Sequence, residues 1–82
     1  MSSIFHKNVA KLLQGDKNMN YGEAMKQQRL ACGKSLLQVE KDTGISNQNL
    51  SRWERNEVLP NIHACVKLAQ YYGITIEELI GI

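Results

Sequence analysis

The 82-residue sequence has little of what marks membrane, secreted or metal-binding proteins. No apolar run approaches the roughly 18 residues that a membrane-spanning helix needs, and residues 1–20 lack the continuous apolar core of a signal peptide. The two cysteines, Cys32 and Cys65, do not form a C-x-x-C spacing, so we expect reduced thiols packed as small hydrophobic residues, not a disulfide framework or a zinc site. These absences predict a cytoplasmic protein that does not bind a membrane.

Patterns typical of catalysis are absent as well. The two histidines, His6 and His63, are isolated, and no nucleophile stands near a base in a recognisable motif. A glycine-rich phosphate loop and a paired-carboxylate site are also missing. We therefore expect no enzymatic activity, no metal and no cofactor.

Net charge is low and unevenly distributed. The formal charge of +2 at pH 7 is too small for a polybasic tail that would bind any anion. Residues 1–35 hold six Lys or Arg against two acids, whereas residues 36–82 hold four against six. The amino-terminal half is therefore the basic one.

Glycines and one proline divide the chain into intervals of helical length, and no interval alternates as a strand would. Polar residues suited to cap a helix open five of these intervals, so we predict five helices between residues 20 and 80. The length of the chain fits one small domain. The predicted caps are Asn20, Ser35, Ser46, Asn61 and Thr75, and the helices end at about Cys32, Gly44, Arg55, Gly73 and Ile80.

The second and third predicted helices are joined by only the three residues 44–46, so the two helices must cross steeply. In the fourth helix, the apolar residues recur at a spacing that predicts one inward face. That predicted face consists of Ile62, Cys65, Val66, Leu68, Ala69 and Tyr72.

Residues 1–19 form a separate amino-terminal extension in this interpretation, and residues 20–82 form the domain. Phe5, Val9, Leu12 and Leu13 recur at helical spacing and predict a short amphipathic helix. Packing on the same domain, pairing with a partner subunit and fraying in the free protein all fit this pattern.

The third predicted helix has two unlike faces. At 100° per residue, Leu50, Trp53 and Glu54 lie on one side, and the opposite side carries Gln48, Ser51, Arg52 and Arg55. Arg can donate to guanine O6 and N7, and Gln or Asn can pair with adenine N6 and N7. Exposed polar residues are common on any helix, but so many amides on a short helix favour DNA recognition.

The segment from Gly33 to Leu79 resembles the lambda-repressor-like (Cro/cI, XRE) helix-turn-helix family, and the resemblance extends back to Tyr21. It reads GKSLLQVEKDTGISNQNLSRWERNEVLPNIHACVKLAQYYGITIEEL. The resemblance implies an all-α, five-helix DNA-binding domain whose recognition helix runs from Asn47 to about Arg55. The matching positions are Arg29, Val39, Gly44, Ile45, Leu50, Arg52, Trp53, Glu54, Pro60, Leu68, Ala69 and Gly73.

The resemblance also implies roles for single residues. Asn47, Gln48 and Arg52 fall where members of the family contact bases. Ser46 and Asn56 fall where they contact phosphates, as does the helix start near Ser35. To these predicted phosphate contacts we add, from charge and placement, Lys34, Ser51 and Arg55.

Three further positions are expected to be structural. Arg29 and Glu54 match a partly buried ion pair of the family, and Trp53 is expected in the core.

Two positions depart from the family pattern. Leu36 stands where many members have Gln, so a phosphate contact from that side chain is missing. Glu40 stands where a small Ala is common. Since an unpaired buried carboxylate is unfavourable, we expect Glu40 to reach solvent or an Arg.

These observations predict a sequence-specific regulator of transcription that binds double-stranded DNA as a homodimer. Two recognition helices about 34 Å apart would enter successive major grooves of an inverted repeat. Repression is expected, since occupancy alone blocks polymerase. The alternative is a protein-interaction module, such as an antitoxin or anti-repressor, that binds a protein partner through residues 4–13. A phage switch protein or a restriction-modification controller would use the same chemistry.

Overall fold

The computed structural model describes residues 20–82, so the extension predicted for residues 1–19 lies outside the described part of the chain. Residues 20–82 form five helices and no strand, which confirms the predicted all-α fold. None of these helices is long and apolar enough to cross a bilayer. The helices are α1 (Tyr21–Ala31), α2 (Leu36–Thr43), α3 (Asn47–Glu54), α4 (Ile62–Tyr72) and α5 (Ile76–Ile80).

Each helix begins directly after the polar residue that the sequence indicates as its cap. A side-chain oxygen of the cap accepts a hydrogen bond from a backbone N–H of the first turn, which otherwise has no partner within the helix. At Thr75 the capping box is complete, since the Glu78 side chain accepts from the Thr75 backbone N–H in return. The capping residues are Asn20, Ser35, Ser46, Asn61 and Thr75.

The core contains one large, fully buried side chain from every helix. Helix α1 packs against α3 and α5, α2 packs against α3 and α4, and α4 packs against α5. Trp53 of α3 also lies in this core, 6% exposed, as the sequence predicts. The five fully buried side chains are Met25, Val39, Leu50, Leu68 and Leu79.

Helices α1 and α3 meet closely at Gly22. A Cβ atom at this position would lie 2.5 Å from the backbone oxygens of Trp53 and Glu54, closer than real Cβ contacts. The Gly22 N–H also donates to Oδ1 of Asn56, over 3.0 Å. Asn56 follows α3 in the left-handed conformation, with a φ of 61°. Because Gly22 has no side chain, the carboxyl end of α3 can lie this close to α1.

Helices α2 and α4 are joined by a hydrogen bond between two exposed groups. The Tyr71 hydroxyl donates to Oδ2 of Asp42, and the Gln38 side chain donates to the other oxygen of the same carboxylate over 2.8 Å. The bond to Asp42 raises the pKa of Tyr71 to about 12, and the bond from Tyr71 lowers the pKa of Asp42.

The predicted inward face of α4 is wrong at two positions. Ile62 is 71% exposed and Val66 is 38% exposed. The other four predicted residues are buried, but the buried face also includes Ala64 and is rotated toward it, so Ile62 and Val66 lie at or beyond its edge. It consists of Ala64, Cys65, Leu68, Ala69 and Tyr72.

The expectation for the cysteines is correct at one position and wrong at the other. Cys65 is buried in α4, and burial raises the pKa of its thiol. Cys32 is exposed because it caps the carboxyl end of α1, where the chain leaves the core.

Candidate nucleic-acid interface

Helix α3 presents a polar face to solvent because its apolar residues anchor it from the other side. Leu50 and Trp53 are buried in the core. Gln48 and Arg52 are exposed, and Ser51 is half-buried between them. The helix is thus held rigidly on one face, and its polar residues project together from the other.

These polar side chains line an open depression of about 370 Å³, which we call the reading depression. Among residues 20–82, no acidic side chain lines it. Its guanidinium and amide groups can donate hydrogen bonds, and its amide oxygens can accept them. The lining residues are Leu36, Asn47, Gln48, Ser51, Arg52 and Arg55.

The structure brings all three predicted base-contacting residues, Asn47, Gln48 and Arg52, to this one depression. The surroundings of Asn47 differ from expectation, because Glu40 contacts it. Oε1 of Glu40 accepts from the Asn47 backbone N–H over 3.2 Å and from the Asn47 side-chain amide. Glu40 is half-buried, so it keeps part of the expected access to solvent, but its partner within the protein is Asn47 and not an Arg.

Glu40 contacts Asn47 because the steep crossing of α2 and α3 brings residue 40 to the start of α3, where the first N–H groups have no partner within the helix and attract a carboxylate. One of the two N–H donors of the Asn47 side-chain amide is consequently used inside the protein. Its Oδ1 atom and one N–H remain for a ligand.

Ser35 and Ser46 lie at the amino termini of α2 and α3. Each hydroxyl oxygen accepts a capping bond, at 3.0 Å from the Gln38 N–H and at 3.1 Å from the Gln48 N–H. A hydroxyl that accepts such a bond still has its own O–H to donate. Both residues can therefore cap their helices and contact an anion such as a phosphate at the same time.

Arg29 and Glu54 form a buried, two-pronged ion pair between α1 and α3. Arg29 Nε lies 2.8 Å from Glu54 Oε2, and Nη2 donates to Oε1 over 2.9 Å. The two side chains are only 9% and 6% exposed. The hydrogen bonds to Glu54 raise the pKa of Arg29 above its ordinary value. Arg29 Nη1 also donates to the Lys34 carbonyl, over 2.8 Å, so one guanidinium holds α1, α3 and the start of α2 in place.

Two predicted phosphate-contacting residues already have partners within the protein. Arg55 forms an exposed ion pair with Glu57, at 2.9 Å. The Asn56 amide accepts from the Gly22 N–H and donates to Oδ1 of Asn20 over 2.8 Å. Sequence reasoning missed the partners of Asn56 because they depend on how α1 packs against the end of α3, whereas the Arg55–Glu57 pair is local and joins residues only two apart. The phosphate contacts of Arg55 and Asn56 stay predictions, as do those of Lys34, Ser35, Ser46 and Ser51.

Comparison with known proteins identifies the family. A family model described as helix-turn-helix matches residues 25–79, which is more than half of the chain. The chain belongs to the lambda-repressor-like helix-turn-helix family. This family is not a class of enzymes, and within residues 20–82 no group of three or more His, Cys, Asp or Glu residues could hold a metal ion.

Two relatives of this helix-turn-helix protein carry names that state a function. The cryptic phage CTXphi transcriptional repressor RstR of Vibrio cholerae serotype O1 is 35% identical over 63 residues, covering 77% of this chain and 56% of the relative. The HTH-type transcriptional regulator ImmR of Bacillus subtilis (strain 168) is 29% identical over 63 residues, covering 77% of this chain and 50% of the relative. The chain thus spans about half the length of these relatives.

A solved structure supports the fold. The DNA-binding domain of BldD from S. venezulae superimposes with a TM-score of 0.68 at 23% identity, covering 76% of this chain and 93% of that domain. At this low identity the match shows that the helices are arranged alike. It carries no information on individual contacts.

Proposed function

We propose that this helix-turn-helix protein is a sequence-specific, double-stranded DNA-binding regulator of transcription that represses by occupying its operator. The observation that carries the proposal is the reading depression of α3, in which Asn47, Gln48 and Arg52 project together from a helix anchored by Leu50 and Trp53. These side chains have the donors and acceptors that distinguish base pairs in the major groove. The names of the relatives RstR and ImmR support a regulatory role.

Phosphate contacts on either side of the groove complete this mode of binding. The start of α2 offers backbone N–H groups of its first turn, the hydroxyls of Ser35 and Ser46 can donate hydrogen bonds, and Lys34 supplies a positive charge beside Ser35. Ser51, Arg55 and Asn56 extend the same set along α3. Such contacts fix the register of a protein on the duplex without reading its sequence.

We infer further that the protein acts as a homodimer on an inverted repeat. Helix α3 has eight residues and is about 12 Å long, so one copy faces only about three to four base pairs. That is too little to single out one site among the roughly 10⁶ or more that a genome offers. Two copies double the sequence that is read. Leu59 and Ile62, 75% and 71% exposed, provide apolar surface outside the reading depression that association can bury.

Selection of bound duplexes from a random pool tests this proposal. The full chain should enrich a sequence with two-fold symmetry, and sedimentation of the complex should give two copies per duplex. Enrichment of an asymmetric site by a single copy would contradict the homodimer. No enrichment at low salt would contradict sequence-specific binding itself.

A further inference from the structure

The reading depression contains one apolar side chain, Leu36, among five polar ones. Leu36 is the first residue of α2 and is half-buried, because part of its surface packs against the core. The rest of the side chain borders the depression beside Asn47 and Gln48. An apolar group in this place needs an explanation, since every other lining residue can hydrogen-bond.

The position of Leu36 follows from the crossing of α2 and α3. Leu36 and Glu40 are four residues apart and therefore lie on the same side of α2. Glu40 contacts Asn47 at the start of α3. Leu36 lies one turn nearer to the start of α2, directly after the exposed capping residue Ser35. It therefore stands between the residues proposed to contact bases and those proposed to contact phosphate.

The chemistry of the major groove suggests what Leu36 contacts there. The base edges expose hydrogen-bond donors and acceptors, and thymine alone adds an apolar group, its C5-methyl. If an apolar side chain covers a donor or acceptor, a hydrogen bond to water is lost without replacement. Contact with a methyl group instead removes apolar surface from water on both sides.

We propose that Leu36 is a specificity-determining residue that contacts the C5-methyl group of a thymine at the edge of the sequence faced by α3. This inference rests on the proposed function. It assigns to this chain a preference for thymine that the polar residues of the depression do not supply.

The neighbouring leucine provides a matched control. Leu37 is 67% exposed and does not line the depression. Replacing Leu37 by Ala removes the same number of carbon atoms from the adjacent position. Any effect specific to Leu36 should therefore be absent from Leu37→Ala.

Deoxyuridine substitution tests the proposal, because it removes the thymine methyl and leaves base pairing unchanged. The probes are duplexes selected from a random pool by the full chain, each with one thymine position replaced. For at least one position, we expect the wild-type protein to bind about threefold to fourfold more weakly, as expected from one buried methyl group. Leu37→Ala should bind the same deoxyuridine duplex more weakly by the same factor.

For Leu36→Ala, the same deoxyuridine substitution should not change the affinity for the duplex. Leu36→Met, which remains apolar and of similar size, should retain sensitivity to the methyl group, and Leu36→Gln should lose it. These two variants keep the volume of the side chain, so the comparison does not depend on whether Leu36→Ala folds.

Two results would overturn the inference. One is a wild-type protein that prefers the selected duplex over a scrambled one yet is insensitive to deoxyuridine at every position, which leaves the proposed function intact. The other is equal sensitivity in the wild type and in Leu36→Gln. Failure to prefer the selected duplex at all would contradict the proposed function instead.

Discussion

The carboxylate of Glu40 accepts two hydrogen bonds from Asn47, one from the backbone N–H and one from the side-chain amide. Helix α2 thus holds the first residue of α3 from within the protein. The contact fixes the orientation of the Asn47 side chain and places a negative charge at the amino terminus of α3, where the helix dipole favours it. That same charge lies near the surface on which we propose a polyanion binds.

Replacement of Glu40 by Ala should therefore have two opposite effects. Affinity for a scrambled duplex should rise, because a negative charge is lost. The ratio of specific to non-specific affinity should fall, because the Asn47 side chain is no longer oriented. Competition binding with the selected and the scrambled duplex measures both quantities.

Asp42→Ala is the control for Glu40→Ala. Asp42 carries the same charge on the same helix but does not contact Asn47. A specificity ratio that falls equally in both variants would contradict an orienting role for Glu40.

Replacement of Glu57 by Gln should strengthen binding to all duplexes, because it releases Arg55 from its ion pair. If Arg55 then contacts one more phosphate, the slope of log K against log salt becomes steeper by about 0.9. Lys34→Ala should change the slope by about the same amount in the opposite direction. Salt titrations of binding measure both slopes.

Glu77→Gln removes an equal charge from α5, which packs on α1 and α4, and it serves as the control. A slope that changes equally in Glu57→Gln and Glu77→Gln would show a general charge effect and no new contact of Arg55.

Loss of either partner of the Arg29–Glu54 pair should lower the free energy of unfolding by about 3 to 5 kcal/mol, because the remaining charge is buried without a counterion. The two single-substitution variants are Arg29→Met and Glu54→Leu. The double variant, which has no buried charge, should be more stable than either single. Urea unfolding followed by fluorescence of Trp53, the only tryptophan, measures this.

The exposed pair Arg55–Glu57 is the control for burial, with side chains 58% and 50% exposed. Glu57→Gln should change the free energy of unfolding by less than about 1 kcal/mol. An additive loss in the Arg29→Met/Glu54→Leu double variant would contradict the account of the buried pair.

The five helices were predictable because the signals for them are local. A capping side chain such as Ser46 bonds an N–H only two or three residues away, and the left-handed turn at Gly44, with a φ of 82°, lies between two adjacent helices. Helical spacing alone placed Gln48 and Arg52 on one face, and the resemblance to the family added Asn47 and the role of these residues as candidate base contacts.

The features that the sequence did not reveal depend on contacts between helices. The close approach at Gly22, the partner of Glu40 and the partners of Asn56 all join residues that belong to different helices or flank them. The exposure of Ile62 was missed for the same reason, since helical spacing defines a face without showing which edge of it a neighbouring helix covers.

The pKa of Tyr71, raised to about 12 by its hydrogen bond to Asp42, predicts a pH dependence of stability. The folded protein holds this proton more tightly than the unfolded chain does. The stabilising contribution is therefore fully present below pH 10 and is lost as the pH rises through about 12. The lowered pKa of Asp42 has the opposite sign, so its contribution is lost as the pH falls below about 4.

Absorbance titration of tyrosinate checks the first of these effects, with Tyr71→Phe to assign the transition. Asp42→Asn should return the pKa of Tyr71 toward 10. Titration of Tyr71 near pH 10 while Asp42 is present would contradict the hydrogen bond between α2 and α4.

Arg52 provides the most direct test that α3 reads the major groove. Arg52→Ala should weaken binding to the selected duplex by about 1 to 3 kcal/mol and relax the preference at one base pair. The decisive measurement is binding to duplexes in which single guanines are replaced by 7-deazaguanine, which removes the N7 acceptor from the major groove and leaves the minor groove unchanged. At least one replacement should weaken duplex binding by the wild-type protein and should not weaken binding by Arg52→Ala any further. If no replacement weakens wild-type binding, or if each replacement weakens binding by both proteins equally, the proposal that α3 reads the major groove is contradicted.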